Sequence, residues 1–170
     1  MSYIYGFYNK TYNLGVDIVR CFNFFGPRQK DSGYGGAISI FTKRVLNNQP
    51  PIIYGDGTQT RDYMYIKDAI KAYDLIMKNN NKNHDRIVNF GTGVETSILD
   101  LANKIIKLCG NDLKPVFVSS RPGEVQRLHC NYNKAKELYN FKPDYDIDMG
   151  LNEFIDWYKN YKSEEWTKIG

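Results

Sequence analysis

The chain has 170 residues, of which 42% are hydrophobic and 15% aromatic, and this content excludes wholesale disorder. Its net charge of +4 comes from acids and bases mixed along the chain, which excludes the clustered basic face of a nucleic-acid-binding protein. Because the three cysteines are far apart and no apolar run approaches the ~20 residues of a membrane span, we expect a cytoplasmic protein with reduced thiols, no metal site and no membrane partner.

The first quarter of the chain predicts a helix, a strand, a loop and a second helix. Aromatic residues recur with helical spacing from Tyr3 to Tyr12. The mostly apolar, β-branched run Val16 to Phe22 is typical of a strand in a parallel sheet that is covered on both faces. A loop rich in Gly, Pro and charge fills residues 23–35, and apolar spacing predicts an amphipathic helix from Ala37 to Leu46.

The stretch from Pro51 to Ile66 predicts a short apolar strand, a glycine-punctuated turn and a second strand, arranged as a hairpin. Asp56-Gly57 favours a tight turn because Gly accepts positive φ and Asp can bond its own backbone. Arg61 would then begin the second strand, where a rigid element holds its guanidinium for bidentate capture of a phosphate or carboxylate. A surface hairpin with an Arg–Asp ion pair explains the same residues equally well.

The remaining sequence alternates between helical and strand patterns. Ser97 and Asp100 resemble a capping box that opens a helix ended by Gly110, and Asp148 is predicted to cap the last helix. The other predicted elements are a helix Asp68–Lys78, a strand Arg86–Phe90, a β-rich segment Pro115–Val118, a short helix from Asn131 through Leu138, and a frayed tail 163–170.

This alternation of strands and helices predicts an α/β fold. The strands Asp17–Phe22 and Ile87–Phe90 would be the last strands of a parallel sheet whose earlier strands this sequence does not contain.

Three short segments carry residues that could contact a ligand. Asn23 directly follows a buried strand, at the carboxyl end where α/β sheets bind ligands, although it could equally form an Asx-turn. Gly35-Gly36-Ala37 precedes a helix whose free N–H groups attract anions, or is simply a flexible entry to that helix. Ile52 and Tyr54 share one face of a strand and could stack a pyrimidine, although such pairs more often belong to a core.

Four motifs resemble those of the NAD-dependent epimerase/dehydratase family, the extended short-chain dehydrogenases that act on nucleotide-sugars, and they follow one another along the chain in the family's order. In chain order the motifs are Phe22-Asn23-Phe24-Phe25-Gly26-Pro27-Arg28-Gln29, Tyr54-Gly55-Asp56-Gly57-Thr58-Gln59-Thr60-Arg61-Asp62-Tyr63, Val88-Asn89-Phe90-Gly91-Thr92-Gly93 and Arg121-Pro122-Gly123-Glu124. The resemblance covers nearly the whole chain but only the C-terminal half of the family. It implies part of a Rossmann-like parallel sheet and a small nucleotide-sugar-binding α/β subdomain.

The resemblance also implies roles for particular residues. Phe22 would lie against the nicotinamide side of NAD, which is the implied cofactor. The residues implied to bind a UDP-sugar are Asn23, Gly36 and Ala37 for the sugar nucleotide, Ile52 and Tyr54 for the uracil, Arg61 and Arg121 for the diphosphate or ribose, and Glu124 for the ribose hydroxyls.

The family's catalytic parts are expected to lie outside this chain. Its chemistry uses a Tyr-x-x-x-Lys pair, in which the tyrosine exchanges the sugar hydroxyl proton, and a Gly-rich turn that holds the NAD pyrophosphate. None of Tyr3, Tyr5, Tyr8 and Tyr12 precedes a lysine by four residues. We therefore predict no catalytic residue in this chain and no activity from it alone. A separately encoded N-terminal half is a conceivable partner, and the family is usually homodimeric.

The predicted function is the UDP-sugar grip of an NAD-dependent 4-epimerase for UDP-glucose or UDP-N-acetylglucosamine. The segments Gly26-Pro27-Arg28-Gln29 and Gly35-Gly36-Ala37 favour that reading. A relative of dTDP-glucose 4,6-dehydratase is the alternative enzyme, and a non-catalytic nucleotide-sugar-binding fragment is the alternative of another class.

Overall fold

A computed structural model describes residues 7–8, 10–12, 16–31, 35–79 and 86–161. Residues 7–8 and 10–12 are helical, whereas the rest of the first predicted helix and the predicted tail 163–170 lie outside the described residues. None of the helices in the part of the chain that the structure describes is long and apolar enough to cross a membrane.

Seven strands and five further helices make up the described part of the chain. The strands are β1 (Asp17–Cys21), β2 (Ile52–Tyr54), β3 (Thr60–Arg61), β4 (Arg86–Phe90), β5 (Thr96–Ser97), β6 (Val116–Val118) and β7 (Arg127–Leu128). The helices are α1 (Ala37–Leu46), α2 (Ile66–Lys78), α3 (Ile98–Cys109), α4 (Asn133–Tyr139) and α5 (Ile147–Asn160).

The strands form three small sheets. β1 and β4 are parallel, with Val19 opposite Val88 and Cys21 opposite Phe90. β2 and β6 are also parallel, while β3 runs antiparallel to β5 and parallel to β7. Parallel strands joined through helices confirm the predicted α/β class, and the pairing of β1 with β4 agrees with the two predicted strands of one sheet.

The predicted hairpin at residues 51–66 is wrong. β2 pairs with β6, and β3 pairs with β5 and β7, so the two strands belong to different sheets. The turn itself forms as expected: Asp56 Oδ1 accepts from the Thr58 N–H at 2.9 Å, and Gly55 and Gly57 have φ of +76° and +78°. β3 covers only two residues and Arg61 ends it, because the following residues turn inward and are buried.

The helix boundaries follow the sequence signals at most ends. α1 covers the predicted residues, and Ser97 Oγ accepts from the Asp100 N–H at 3.0 Å to cap α3. Gly110 ends α3 in the left-handed region, with φ of +75°. The predicted cap of the last helix is wrong by one aspartate: Asp146 Oδ1 accepts from the Met149 N–H at 2.7 Å, while Asp148 bonds Lys104.

Two hydrophobic cores hold these elements together. The first joins α1, α3 and α5 around Phe25, Ile53 and Leu101. The second packs α2 and α4 against the sheet of β1 and β4 around Met64, Phe90 and Phe141. The loop after β1 and the segment after β3 contribute residues to these cores, and the same two segments also line the candidate site.

Candidate functional site

A cavity of about 290 Å³ gathers five of the residues that the sequence predicts to bind a nucleotide-sugar. They come from four separate stretches of chain and are Asn23, Gly36, Ala37, Arg61 and Glu124. Six further residues line the cavity without having been predicted, namely Phe24, Phe25, Gln29, Ile38, Tyr63 and Ile98. We call this cavity the Arg61 pocket.

Asn23 lies at the carboxyl end of β1 in an unusual backbone conformation. Its φ of +26° lies outside the regions that most residues occupy, and Asn tolerates such angles better than most. Its side-chain Nδ2 donates to the carbonyl oxygen of Asp62 at 3.1 Å. The amide is therefore fixed at the wall of the Arg61 pocket by the segment that carries Arg61.

Gly36 and Ala37 bring the start of α1 to the pocket. Gly36 is the N-cap residue, and within the described residues no side-chain cap occupies the first-turn N–H groups of α1, which could therefore bind an anion. A Cβ atom built on Gly36 would lie 2.7 Å from Nε2 of Gln29. A larger residue at position 36 would therefore displace the end of the Gln29 side chain.

Arg61 and Glu124 form the charged part of the pocket. Arg61 Nη2 lies 3.6 Å from Glu124 Oε1, and Arg61 Nη1 donates to the Thr60 carbonyl at 2.7 Å. The two side chains are only 16% and 28% exposed, so their charges are weakly screened by solvent. The arrangement offers both a fixed guanidinium for a phosphate and a carboxylate that can accept from hydroxyl groups.

The second predicted arginine lies with the predicted base-binding strand instead. The Arg121 guanidinium stacks 3.7 Å from the ring centroid of Tyr54, at the exposed end of β2. Ile52 is half-buried and the intervening Ile53 is fully buried, as expected for alternating faces. The Glu124 N–H donates to the Arg121 carbonyl at 3.3 Å, so one turn connects this pair to the Arg61 pocket. Phe22 is half-buried after β1 and, like Ile52, Tyr54 and Arg121, does not line that pocket.

Two polar residues at the pocket were not predicted from the sequence. Gln29 lines it, and its Oε1 is buried without a hydrogen-bond partner among the described residues. Asp62 is fully buried and accepts hydrogen bonds from Thr92, Gly93 and Cys130. The sequence did hold a signal for Asp62, which directly precedes the apolar run Tyr63-Met64-Tyr65. A carboxylate next to a buried segment must be well hydrogen-bonded, so it is a candidate for a structural role.

Three tyrosines in the described residues precede a lysine by four positions, namely Tyr63, Tyr132 and Tyr158. The hydroxyl of Tyr158 donates to Asp31 Oδ2, and the lysine that follows Tyr158 lies outside the described residues. Tyr132 precedes the first turn of α4, and its ring packs against Phe141. Burial raises the pKa of Tyr63, which lines the pocket, while Lys67 Nζ binds Glu153 at 2.6 Å. Within the described residues, Lys67 is therefore engaged by Glu153 and Tyr145 and not by Tyr63.

A larger cavity of about 470 Å³ shares Tyr63 with the Arg61 pocket. It lies between the loop of Thr92 to Thr96 and residues 142–149. None of the residues predicted to bind NAD or a nucleotide-sugar lines it.

Comparisons with known proteins agree with the motifs. A profile of the GDP-mannose 4,6 dehydratase family matches residues 1–154. The chain is 41% identical over 153 residues to a Methanocaldococcus jannaschii protein provisionally named UDP-glucose 4-epimerase, and the match covers 90% of this chain and 48% of that protein.

Solved structures give the same result. The UDP-glucose 4-epimerase of Thermotoga maritima, solved with UDP-glucose, matches at a TM-score of 0.89 and 31% identity, covering 94% of this chain and 50% of that one. The UDP-glucuronic acid 4-epimerase of Bacillus cereus, solved with UDP-glucuronic acid and NAD, matches at a TM-score of 0.85 and 30% identity, covering 93% and 49%.

The chain therefore spans about half the length of these relatives. Its four motifs, its Rossmann-like α/β fold and its matches in sequence and structure agree, and the chain belongs to the NAD-dependent epimerase/dehydratase family, of which it represents a C-terminal portion.

Proposed function

We propose that this chain is the UDP-sugar-binding part of an NAD-dependent sugar 4-epimerase. The observation that carries the proposal is the Arg61 pocket, in which a guanidinium, a carboxylate, an amide and a helix N-terminus surround one cavity. The guanidinium and the helix N-terminus can bind phosphates, and the carboxylate and the amide can form hydrogen bonds with sugar or ribose hydroxyls.

The stacked pair of Arg121 and Tyr54 supports a place for the base beside this pocket. Tyr54 is 37% exposed, and an aromatic ring at that exposure can pack against a flat pyrimidine. Arg121 already covers the ring at 3.7 Å, so its guanidinium would either share the ring with the base or swing toward the diphosphate.

NAD is a proposal for the whole protein and is not assigned to this chain alone. These 170 residues contain no Gly-x-x-Gly-x-x-Gly turn, and the half-buried Phe22 would supply at most one wall of a nicotinamide site. The residues present do not fit a dinucleotide grip, so hydride and proton transfer would belong to residues outside this chain.

Exposed apolar groups support a partner that supplies the rest of the sheet. Ile70, Tyr73 and Met77 lie on α2 and are 61%, 50% and 74% exposed. Within the described residues, β1 pairs with β4 only, so its other edge could accept a further strand. That partner would be an NAD-binding half, joined to this chain or separately encoded, and the assembled protein would form a homodimer.

The direct test is calorimetric titration of the chain with UDP, UDP-glucose and UDP-N-acetylglucosamine. We expect UDP to carry most of the affinity, because the charged groups of the Arg61 pocket would contact the diphosphate and ribose. Binding of dTDP-glucose in preference to the UDP-sugars would instead favour the dehydratase alternative.

Arg61→Ala should weaken UDP binding by roughly 30-fold, because a hydrogen-bonded charged contact contributes about 2 kcal/mol. Arg127→Ala is the matched control, since it removes the same charge from a side chain that is 72% exposed and outside the pocket. Equal affinities for Arg61→Ala and the parent chain would reject the proposed site.

A turnover assay of this chain assembled with an NAD-binding half then distinguishes the epimerase hypothesis from the binding-fragment hypothesis. Interconversion of UDP-glucose and UDP-galactose by the assembled protein would establish the epimerase. UDP-sugar binding without such turnover by the assembled protein would leave the non-catalytic binding fragment as the function.

A further inference from the structure

The carboxylate of Asp62 is a fixed point behind the Arg61 pocket. Asp62 is 0% exposed, and each of its oxygens accepts two hydrogen bonds. Oδ1 accepts from the N–H and hydroxyl of Thr92 at 3.0 and 2.6 Å, and Oδ2 accepts from the N–H groups of Gly93 and Cys130 at 2.8 and 3.3 Å. Four donors satisfy the acceptor capacity of a carboxylate, so the side chain has little freedom to move.

The backbone of the same residue contacts the pocket. The Asp62 carbonyl accepts from Asn23 Nδ2 at 3.1 Å, and the flanking residues Arg61 and Tyr63 both line the cavity. Asp62 itself does not line the cavity and cannot contact a ligand there directly.

We propose that Asp62 is a positioning residue of the nucleotide-sugar pocket. Its clamped carboxylate fixes its own carbonyl, and that carbonyl holds the side-chain amide of Asn23, whose backbone φ is +26°, at the wall of the pocket. The ligand named here rests on the proposed function, whereas the placement of Asn23 by Asp62 can be measured without any ligand.

Asp62→Asn tests the clamp with almost no change in shape. An amide offers one accepting oxygen and one NH₂ group, so either orientation points an NH₂ group at donors that Asp62 now satisfies. We expect the side-chain amide signals of Asn23 in ¹⁵N–¹H spectra to shift or broaden, and the affinity for UDP-glucose to fall roughly tenfold, as for one misplaced hydrogen bond to a charged group.

Asp68→Asn is the matched control. Asp68 is 1% exposed, and its two oxygens accept from the N–H groups of Asp144 and Tyr145 at 2.9 and 3.1 Å. This variant makes the same chemical change in an equally buried clamp that holds a loop outside the Arg61 pocket. It should lower stability while leaving both the Asn23 signals and the UDP-glucose affinity unchanged.

Thr92→Val provides a milder variant should Asp62→Asn fail to fold. It removes one of the four donors from a residue outside the pocket, so a shift of the Asn23 signals with a roughly threefold loss of affinity would support the clamp.

The Asn23 signals decide the outcome. If they are identical in the parent chain and in every folded variant of the Asp62 clamp, the positioning role is wrong whatever the titrations show. If they shift in Asp62→Asn while the parent chain binds no nucleotide-sugar, the positioning role stands and the proposed function fails.

Discussion

The substitution Gly150→Ala sets two opposing effects against each other in α5. Replacing a helical glycine with alanine normally stabilises a protein by about 1 kcal/mol, because glycine has more backbone freedom to lose on folding. Gly150, however, packs directly on the first core: a Cβ atom there would lie 2.7 Å from Phe25 Cζ and 3.1 Å from Tyr65 Cδ2.

The packing cost should exceed the helix gain because Phe25 cannot move away easily. It is 2% exposed, and its ring centroid lies 5.4 Å from that of Tyr65 and 6.4 Å from that of Phe154. Forcing a methyl group into such a core costs about 1–3 kcal/mol. The net expectation is a loss of about 1 kcal/mol in the free energy of unfolding.

Urea unfolding and thermal melting both measure this loss, and the melting midpoint should fall by about 2–4 °C. Asn152→Ala is the control, because it places alanine at an exposed position of the same helix and should change stability by no more than about 0.5 kcal/mol. Phe25 also lines the Arg61 pocket, so Gly150→Ala should weaken UDP-sugar binding as well. A rise in the melting midpoint would show that the core yields, and would refute the packing argument.

Two further substitutions test the N-cap of α3 and the ion pair between Glu95 and Arg127. Ser97→Ala should cost about 1 kcal/mol in urea unfolding, because it removes the acceptor of the Asp100 N–H, whereas Ser97→Thr should keep most of the stability; equal losses in both variants would contradict a capping role. Hydrogen bonds from Arg127 and Thr60 lower the pKa of Glu95 to about 2. Between that value and the ordinary 4.5, the unfolded chain binds more protons, so stability falls as the pH is lowered through this range. Glu95→Gln should flatten the pH dependence of the unfolding free energy there, and an unchanged slope would exclude Glu95 as its source.

Local signals in the sequence predicted the helices well because the start and end of a helix depend mainly on residues that are close together in the sequence. Ser97 and Asp100 lie three positions apart and meet across one helical turn, and Gly110 follows the last apolar residues of α3. The exception at the last helix has the same origin. Asp146 and Asp148 are both suitable N-cap residues, and only the tertiary contact of Asp148 with Lys104 distinguishes them.

Strand pairing could not be predicted in the same way because its partners are distant in sequence. The turn at Asp56-Gly57 forms as expected, yet β2 continues to a partner beyond α3, and β3 pairs on both sides with other segments. A tight turn specifies a change of chain direction, whereas a hairpin also requires two strands long enough to pair. The two residues of β3 do not provide that length.

The candidate site likewise combines residues that could be predicted from the sequence with residues whose roles depend on distant contacts. The family resemblance implied five residues of the Arg61 pocket, but it assigned no role to Gln29 or Asp62, although both lie inside the motifs. Gln29 packs against Gly36, and Asp62 acts through hydrogen bonds to distant residues. The two predicted arginines illustrate the difference. Both lie near Glu124, yet Arg61 pairs with its carboxylate and Arg121 stacks on Tyr54. Their joint action on one diphosphate stays a prediction.

The segment from Arg61 to Tyr65 explains why pocket and cores should respond together. Arg61 and Tyr63 line the pocket, Asp62 is clamped beneath it, Met64 belongs to the second core and Tyr65 to the first. A regular strand would send alternate side chains to only two environments, whereas these five consecutive residues reach the pocket, the clamp and both cores. Any change that shifts this short segment must therefore alter packing and ligand contacts at once. That is why each variant near it needs a control that separates stability from affinity.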